Sequence, residues 1–370
     1  MIYFDNSATN RFIPYQVLRA VRRELKYPTN SGRSGHNDSI SASMRLHETR
    51  EEIKRLLNNE KCQVVFTKNC TEALNLAILG TLKEGRHVVT SCMEHNSVLR
   101  PLFELSRRGL IFLTVIEPKE KSVTPNDLKK AINKDTYLLA ITGASNVNGK
   151  KNDLKALGKI ASEYGLLFLC DGAQLLGKEN IDMRACGIDM IACPAYKGLH
   201  GIQGAGFLAF AKSVQINPIL YGGTGTESNR LLQPVNTPES LESGTLNTPS
   251  ISAMGEGIKW TIANFEKVNK KIKFLQDIII NYMKGNNKIR IFAEDDMGII
   301  SFSVKGKSPN EIADILNERF DIAVRSGLHC APLMHKFLGT EKEGLVRVSI
   351  GFENSEEDAL KLIKALDKIV

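Results

Sequence analysis

The sequence predicts an α/β protein: a large domain on a mostly parallel, seven-stranded sheet, then a smaller α+β domain at the C-terminal end. Two observations carry this. Between about residues 60 and 210, short apolar runs alternate with segments of helical spacing. Continuous apolar strands separated by helices belong to a parallel sheet covered on both faces. After Tyr221 the composition changes, and a second pattern of strands and helices follows a long polar stretch.

The elements follow in order. Val64-Val-Phe-Thr67 is a short β-branched run, and Glu72 to Leu82 has helical spacing. Residues 87–92 and 111–116 are the next strands. Thr124 is an N-cap with Pro125 at the first helical position, opening a helix through Ile132. Residues 137–142 form a strand, and 154–164 a helix stopped by Gly165. Strands at 166–170, 188–193 and 206–210 complete the seven. Gly222 through Pro249 is rich in turn formers, which predicts a long loop, and such loops are often functional. A long helical region runs from about Ser250 to Met283. Strands at 289–293 and 298–304, a helix at 308–319, strands at 321–325 and 345–350 and a helix at 355–369 follow. Ser308-Pro309 and Ser355-Glu-Glu-Asp358 are good helix starts. The domains are expected at 1–250 and 251–370, with segment 1–13 packing with the smaller one.

Composition bounds the function. A chain of 370 residues has two domains as its natural prior, and 42% apolar residues are ample for a core. No apolar stretch approaches a membrane span. Met1-Ile-Tyr-Phe-Asp-Asn lacks the basic and apolar regions of a secretory signal. The seven cysteines (62, 70, 92, 170, 186, 193, 330) are scattered with no Cys-x-x-Cys pair, which speaks against a metal site and fits a reducing cytoplasm. The net charge is +8. Its densest patch, Lys267 to Lys273, has Ile272 and Phe274 interleaved at helical spacing. That is the wet side of an amphipathic helix, and no nucleic-acid recognition module accompanies it.

The chemistry collects at strand ends, where ligands of such sheets bind. Lys197 sits between an apolar strand and a turn with glycines at 198, 201, 204 and 206. A lysine there can be desolvated, lose its proton more easily and form a Schiff base with an aldehyde. Asp171 ends the strand Leu166-Leu-Phe-Leu-Cys. An acid and a lysine at neighbouring strand ends suit pyridoxal phosphate, the acid on the pyridinium nitrogen and the lysine on the aldehyde. Taken alone, each also reads as a solvated lysine and a helix-capping acid.

Four further segments add to this pair. Thr67-Lys-Asn-Cys70-Thr71-Glu72 joins a strand to a helix whose first amides make a natural phosphate seat, or a simple N-cap. His95 follows the 87–92 strand and suits ring stacking and proton transfer, or a structural role. Asn146 follows the 137–142 strand, where it can donate to a phenolate oxygen or simply make a turn. Cys330, in Arg325-Ser-Gly-Leu-His329-Cys330-Ala-Pro332, is a loop thiol beside Arg and His. At the ordinary cysteine pKa only about 3% is thiolate at pH 7, so a modest lowering matters. Arg347 interrupts an apolar strand and needs an anion, either a substrate carboxylate or an internal salt bridge.

In this order the segments resemble the class V aminotransferase family, and within it the cysteine desulfurases, over nearly the whole chain. Tyr3-Phe-Asp-Asn-Ser-Ala-Thr9 resembles its opening motif and Asn69-Cys70-Thr71-Glu its phosphate-binding turn. Glu94-His95-Asn96-Ser resembles its ring-stacking segment and Asp171-Gly-Ala-Gln174 its pyridine-binding segment. Glu242-Ser-Gly-Thr245 resembles the loop reaching a neighbouring subunit's phosphate, and Arg325 to Cys330 its persulfide-carrying loop.

The resemblance implies a pyridoxal 5'-phosphate enzyme of fold type I, a cytoplasmic homodimer with shared active sites. Its reaction would convert L-cysteine to L-alanine and pass sulfur to an acceptor protein, for iron–sulfur clusters or other sulfur-containing products. It further implies that Lys197 binds the cofactor and moves protons, and that Asp171 holds the pyridine nitrogen. Gln174 and Asn146 would contact the phenolate oxygen, and His95 would stack on the ring and relay protons. Cys70, Thr71 and the partner's Thr245 would bind phosphate. Arg347, helped by Arg325, would hold the substrate carboxylate, and Cys330 would take the sulfur.

The chain departs from the family pattern in two places. Ala195-Tyr196 stands where Gly-His is usual before the lysine, so Tyr196 would assist the phosphate through its hydroxyl. Leu246 stands where proline is common. Alternative activities are a selenocysteine lyase, a cysteine-sulfinate desulfinase or another lyase of the family. A non-catalytic binding protein on the same fold, its site decayed at Tyr196, is the remaining alternative.

Overall fold

The computed structural model describes every residue except Arg33 and Glu120. The chain opens with a two-residue strand, β1 (Ile2–Tyr3), and two helices, α1 (Tyr15–Lys26) and α2 (Asn37–Leu56). Then β2 (Gln63–Thr67), α3 (Cys70–Gly80), β3 (Arg86–Ser91), α4 (Asn96–Arg107), β4 (Ile111–Ile116), α5 (Pro125–Ala131), β5 (Thr136–Thr142), α6 (Leu154–Glu163), β6 (Leu167–Asp171), β7 (Met190–Pro194) and β8 (Gly206–Phe210) follow, the seven strands and the helices α3, α5 and α6 lying where the pattern predicts them. The C-terminal part holds α7 (Thr248–Lys284), β9 (Ile289–Ile291), β10 (Ile299–Val304), α8 (Pro309–Phe320), β11 (Ile322–Ala323), β12 (Arg325–Gly327), α9 (Pro332–Leu338), β13 (Leu345–Ser349) and α10 (Glu356–Ile369).

Local signals set many of the ends. The side chain of Thr124 accepts from Asp127 N and Asp127 answers at Thr124 N, a reciprocal cap that starts α5 at Pro125. Ser355 and Asp358 do the same for α10. Gly165 takes φ +64° after α6, a conformation glycine adopts without a steric penalty. The helix expected from Glu72 begins two residues earlier, because Asn69 is its cap and accepts from Glu72 N. The expected strand 321–325 divides in two: β11 pairs with β1, and β12 pairs with β13.

The central sheet has the order β2-β8-β7-β6-β5-β3-β4. Only β8 runs against its neighbours; the pairs β3–β4, β3–β5, β5–β6 and β6–β7 are parallel. Every residue of β5, β7 and β8 is buried, because helices cover both faces. Along β8, Phe207 and Ala209 enter one core while Leu208 and Phe210 enter the other. That two-sided burial is why these strands read as unbroken apolar runs rather than alternating ones.

A four-stranded antiparallel sheet, β12-β13-β10-β9, backs a third core. The helix α7 has 37 residues and is about 55 Å long at 1.5 Å per residue. Its first turns, with Ile251, Met254 and Ile258, pack in the large core; Val268, Ile272, Leu275 and Ile279 pack under the small sheet. The N-terminal segment leaves the large core for the same region. Strand β1 lies parallel to β11, Asp5 bridges Ser349, and Phe4 is wholly buried among the small-sheet residues.

Candidate active site

Parallel connections place the C-terminal ends of β2, β3, β5, β6 and β7 along one edge of the sheet. The cleft at that edge is lined by Cys70, Thr71, His95, Asn146, Asp171, Gln174, Tyr196, Lys197, Arg325 and Arg347. Ten residues named from the sequence therefore meet in one place. Asp171 ends β6 beside Ala192 of β7, and Lys197 lies three residues past the end of β7.

Lys197 is half-buried; its carbonyl accepts from His200 N at 3.1 Å, while its Nζ makes no hydrogen bond or ion pair among the described residues. Burial lowers its pKa, helped by Arg347 and opposed by Asp171 and Cys70. Asp171 accepts at Oδ1 from Ala173 N at 3.0 Å and from the Cys70 thiol at 3.8 Å. Burial, then the charge of Asp171, pushes the Cys70 thiol well up, so it stays protonated and acts as a donor. The first turn of α3 can lie this close to the sheet because residue 206 is glycine. A Cβ there would meet the Asn69 carbonyl carbon at 2.8 Å and Cys70 N at 3.1 Å.

At the start of α3, Thr71 Oγ1 lies 2.8 Å from Ser97 Oγ, which lies 2.9 Å from His95 Nδ1. His95 caps α4, its Nδ1 accepting from Ser97 N at 3.0 Å. That fixes the neutral tautomer with hydrogen on Nε2. Burial pushes His95 down to about 4, against the pull of Asp171, so the ring is neutral at physiological pH. Gln174 donates from Nε2 to Ser7 O at 2.9 Å, which keeps one of its two hydrogens for the cleft. Burial raises the Tyr196 phenol, and the Tyr196 carbonyl accepts from Asn10 N at 2.9 Å.

Arg347 lies in the middle of β13 and is 1% exposed. It donates from one terminal nitrogen to Asp5 Oδ1 at 2.8 Å and from the other to Asn146 O at 2.9 Å, while its Nε has no partner. The internal salt bridge weighed from the sequence is thus present, with Asp5 as its acid, and Nε is left for a further anion.

The Cys330 loop is short, four residues between β12 and α9. Asn146 donates to His329 O at 2.6 Å and Asn96 N to Cys330 O at 2.8 Å. His329 and Cys330 take φ +50° and +57°, two successive left-handed residues with side chains. Each costs roughly 1–2 kcal/mol and persists only where the surroundings hold it. The Arg325 guanidinium lies 3.7 Å from Cys330 Sγ while also lining the cleft. Burial raises the other six thiols, taking Cys62 up to about 11 and Cys92 up to about 12, and all seven cysteines are free.

Thr245 does not join the cleft of its own chain. It lines a separate, more apolar cavity with Phe66, Lys68, Glu72 and Leu246. Residues missed as site members are Ser7, Ser97 and Asp5. Ser7 lines the cleft with a buried, unpartnered Oγ. The opening motif pointed to its segment but not to its atoms.

A lysine and an acid on adjacent strand ends, facing a helix start, are what a fold-type-I pyridoxal phosphate enzyme presents to its cofactor. The chain belongs to the class-V aminotransferase family, among its cysteine desulfurases, for the profile described as Aminotransferase class-V matches residues 2–362. A probable cysteine desulfurase of Methanothermobacter thermautotrophicus is 33% identical, with 100% of this chain and 94% of that protein covered. The cysteine desulfurase IscS of Dictyoglomus turgidum is 30% identical, with 100% and 94% covered. The apo structure of a cysteine desulfurase from Thermococcus onnurineus NA1 superposes with a TM-score of 0.91 at 30% identity, covering 100% of this chain and 94% of that one. Enzymes of this family depend in general on pyridoxal 5'-phosphate.

The residues present fit that group. The unpartnered amine of Lys197, the Asp171 carboxylate, the helix start held close by Gly206 and two unpartnered polar atoms, Ser7 Oγ and Arg347 Nε, surround one cleft.

Proposed function

We propose that this protein takes sulfur from L-cysteine, leaving L-alanine, and carries the sulfur as a persulfide on Cys330 with pyridoxal 5'-phosphate in the cleft. One observation carries the reading most: Arg325 touches the Cys330 thiol and lines the cleft that holds Lys197. The cofactor, when bound, supplies an electron sink for bonds at the substrate's α-carbon.

The chain's own groups do the rest. Lys197 Nζ, its pKa lowered by burial, holds the aldehyde and then moves the proton at the substrate carbon. The Asp171 carboxylate keeps the pyridine nitrogen protonated. The neutral ring of His95 stacks and relays a proton through Nε2. The amides of Cys70 and Thr71, the Thr71 hydroxyl and the Tyr196 hydroxyl hold the phosphate. Gln174 and Asn146 direct their remaining amide hydrogens to the phenolate oxygen. Arg347 offers its Nε edge, and Arg325 its charge, to the substrate carboxylate. The Cys330 thiolate attacks the substrate sulfur; an S–S bond forms, the C–S bond breaks, and its electron pair stays with the carbon that becomes the methyl of alanine.

A second copy of the chain completes the site in this reading. Tyr221, Leu231, Leu232 and Val235 stand exposed on the 219–235 loop, and Thr245 lies outside its own cleft, which suits a partner's phosphate. A monomeric mass in sedimentation would remove this part. Among the described residues no helix is long and apolar enough to cross a membrane. Seven free thiols support a cytoplasmic location. An acceptor protein takes the sulfur onward, with iron–sulfur cluster assembly as one destination.

The test is sulfide release from cysteine with a reductant. Cys330→Ala abolishes it and leaves the cofactor's absorbance intact. Unchanged turnover in that variant would take Cys330 out of the mechanism.

A further inference from the structure

Beside Cys330 lie two buried imidazoles, one in its loop and one on α9, neither of which lines the cleft. His329 is 2% exposed and His335, on α9, is fully buried. Their ring centroids are 5.4 Å apart with planes tilted by 37°. His329 Nδ1 and His335 Nε2 have no hydrogen-bond partner. Buried polar atoms in that state are rare and call for a reason.

Their other nitrogens are anchored. Thr340 Oγ1 lies 2.9 Å from His335 Nδ1 and holds that ring from one side. His329 Nε2 makes a long contact, 3.5 Å, to Arg325 O, a carbonyl that only accepts. One nitrogen of each ring is thus anchored and the other is buried without a partner. Burial, then the charge of Arg347, holds His329 neutral.

Such an arrangement is kept at a cost, and what it supports is the strained pair His329–Cys330. The backbone of that pair is pinned from the cleft side by Asn146 and Asn96. From behind, the His329 ring rests on His335, whose own ring is oriented by Thr340. We propose that His335 is a positioning residue for Cys330: through the ring of His329 it holds the left-handed turn that keeps the thiol beside Arg325. This rests on the sulfur-carrying role proposed for Cys330. A thiol must lie within near-attack distance to accept sulfur, and small displacements there are costly in rate.

The test compares two substrates in the holoenzyme. Selenium leaves selenocysteine more readily than sulfur leaves cysteine, so its release depends less on a correctly placed thiol. In His335→Leu, kcat for cysteine falls roughly tenfold or more, while kcat for selenocysteine stays within about twofold and the cofactor spectrum is unchanged. Thr340→Val, which removes only the hydroxyl that orients His335, shows the same selectivity with a smaller loss, and it decides the matter if His335→Leu does not fold. Equal losses on both substrates would reduce His335 to a structural role, and full cysteine turnover in both variants would overturn the proposal outright. Cys330→Ala is measured alongside. If it is inactive with cysteine while the His335 and Thr340 variants match wild type, only the positioning role falls; if it remains active, the sulfur-carrying role falls with it.

Discussion

Adding one methyl group beside the lysine is expected to cripple the enzyme. Gly198 follows Lys197 directly, and its backbone presses against the turn at 176–177. A Cβ on Gly198 would lie 2.2 Å from Leu176 O and 3.3 Å from its carbonyl carbon. The contact is mutual, since a Cβ on Gly177 would lie 2.1 Å from Gly198 O. These neighbours are backbone, which cannot swing aside as a long side chain would. To restore even a 3.0 Å contact in Gly198→Ala, the two segments must part by about 0.8 Å. Overpacking of this kind costs about 1–3 kcal/mol of stability. The shift is delivered to the Cα of Lys197, where a displacement near 1 Å costs roughly a hundredfold in kcat/KM. The measurement is sulfide release from cysteine, together with urea unfolding. Gly35→Ala is the control, because a Cβ there meets nothing within 4 Å, and its stability should stay within about 0.5 kcal/mol of wild type. Gly198→Ala with activity within threefold of wild type would refute the reasoning, since the lysine would then tolerate the opening.

Two further outcomes concern stability. Arg50 donates to both oxygens of Glu242, at 2.6 and 2.8 Å, and Phe66 N donates to the same carboxylate at 2.6 Å. Glu242→Ala strands a largely buried guanidinium, so the urea midpoint should report a loss of about 3–5 kcal/mol, and a loss below about 1 kcal/mol would count against it. Acid should also destabilise the protein. Burial pushes His95, His200 and His335 down to about 4 and lowers His329 as well. Between the unfolded imidazole value near 6.5 and about 4, the unfolded chain binds protons that the native chain refuses, so stability falls as pH drops through that window. Buried Glu94, pushed up to about 8, works the other way, since the native state keeps a proton that the unfolded state releases above about 4.5. His87 is lowered too, by burial, and the same cause raises Asp189, Glu242 and Glu353, though none is moved as far as Glu94; the imidazoles outweigh the carboxyls, and a higher urea midpoint at pH 5.5 than at pH 7 would contradict this balance.

The helix starts at Thr124, Ser308 and Ser355 were legible because a cap is made by residues three apart in sequence. The strands were legible because a sheet covered on both faces demands unbroken apolar runs. Lys197 and Asp171 stood out because a charge at the end of such a run must have a purpose or a solvent path. Helices α1, α2, α4 and α9 lie outside the segments assigned from pattern. In α9 only Met334 and His335 are buried, too few to mark a helical period, whereas α1 buries Val17, Ala20 and Glu24 at helical spacing but with an acid as one of the three, which breaks the apolar stripe.

The chain by itself therefore determined the alternation of strands and helices, the caps, and the types of group waiting at the strand ends, since all of these follow from neighbours a few residues apart. Partnership was decided only in three dimensions. Arg347 meets Asp5 across 342 residues, the Cys70 thiol finds Asp171 across 101, and Asn146 reaches the Cys330 loop across 183. No local preference encodes such pairs. They arise because parallel crossovers bring the carboxyl ends of all the large-sheet strands but β8 to one edge and the small sheet is folded back upon it.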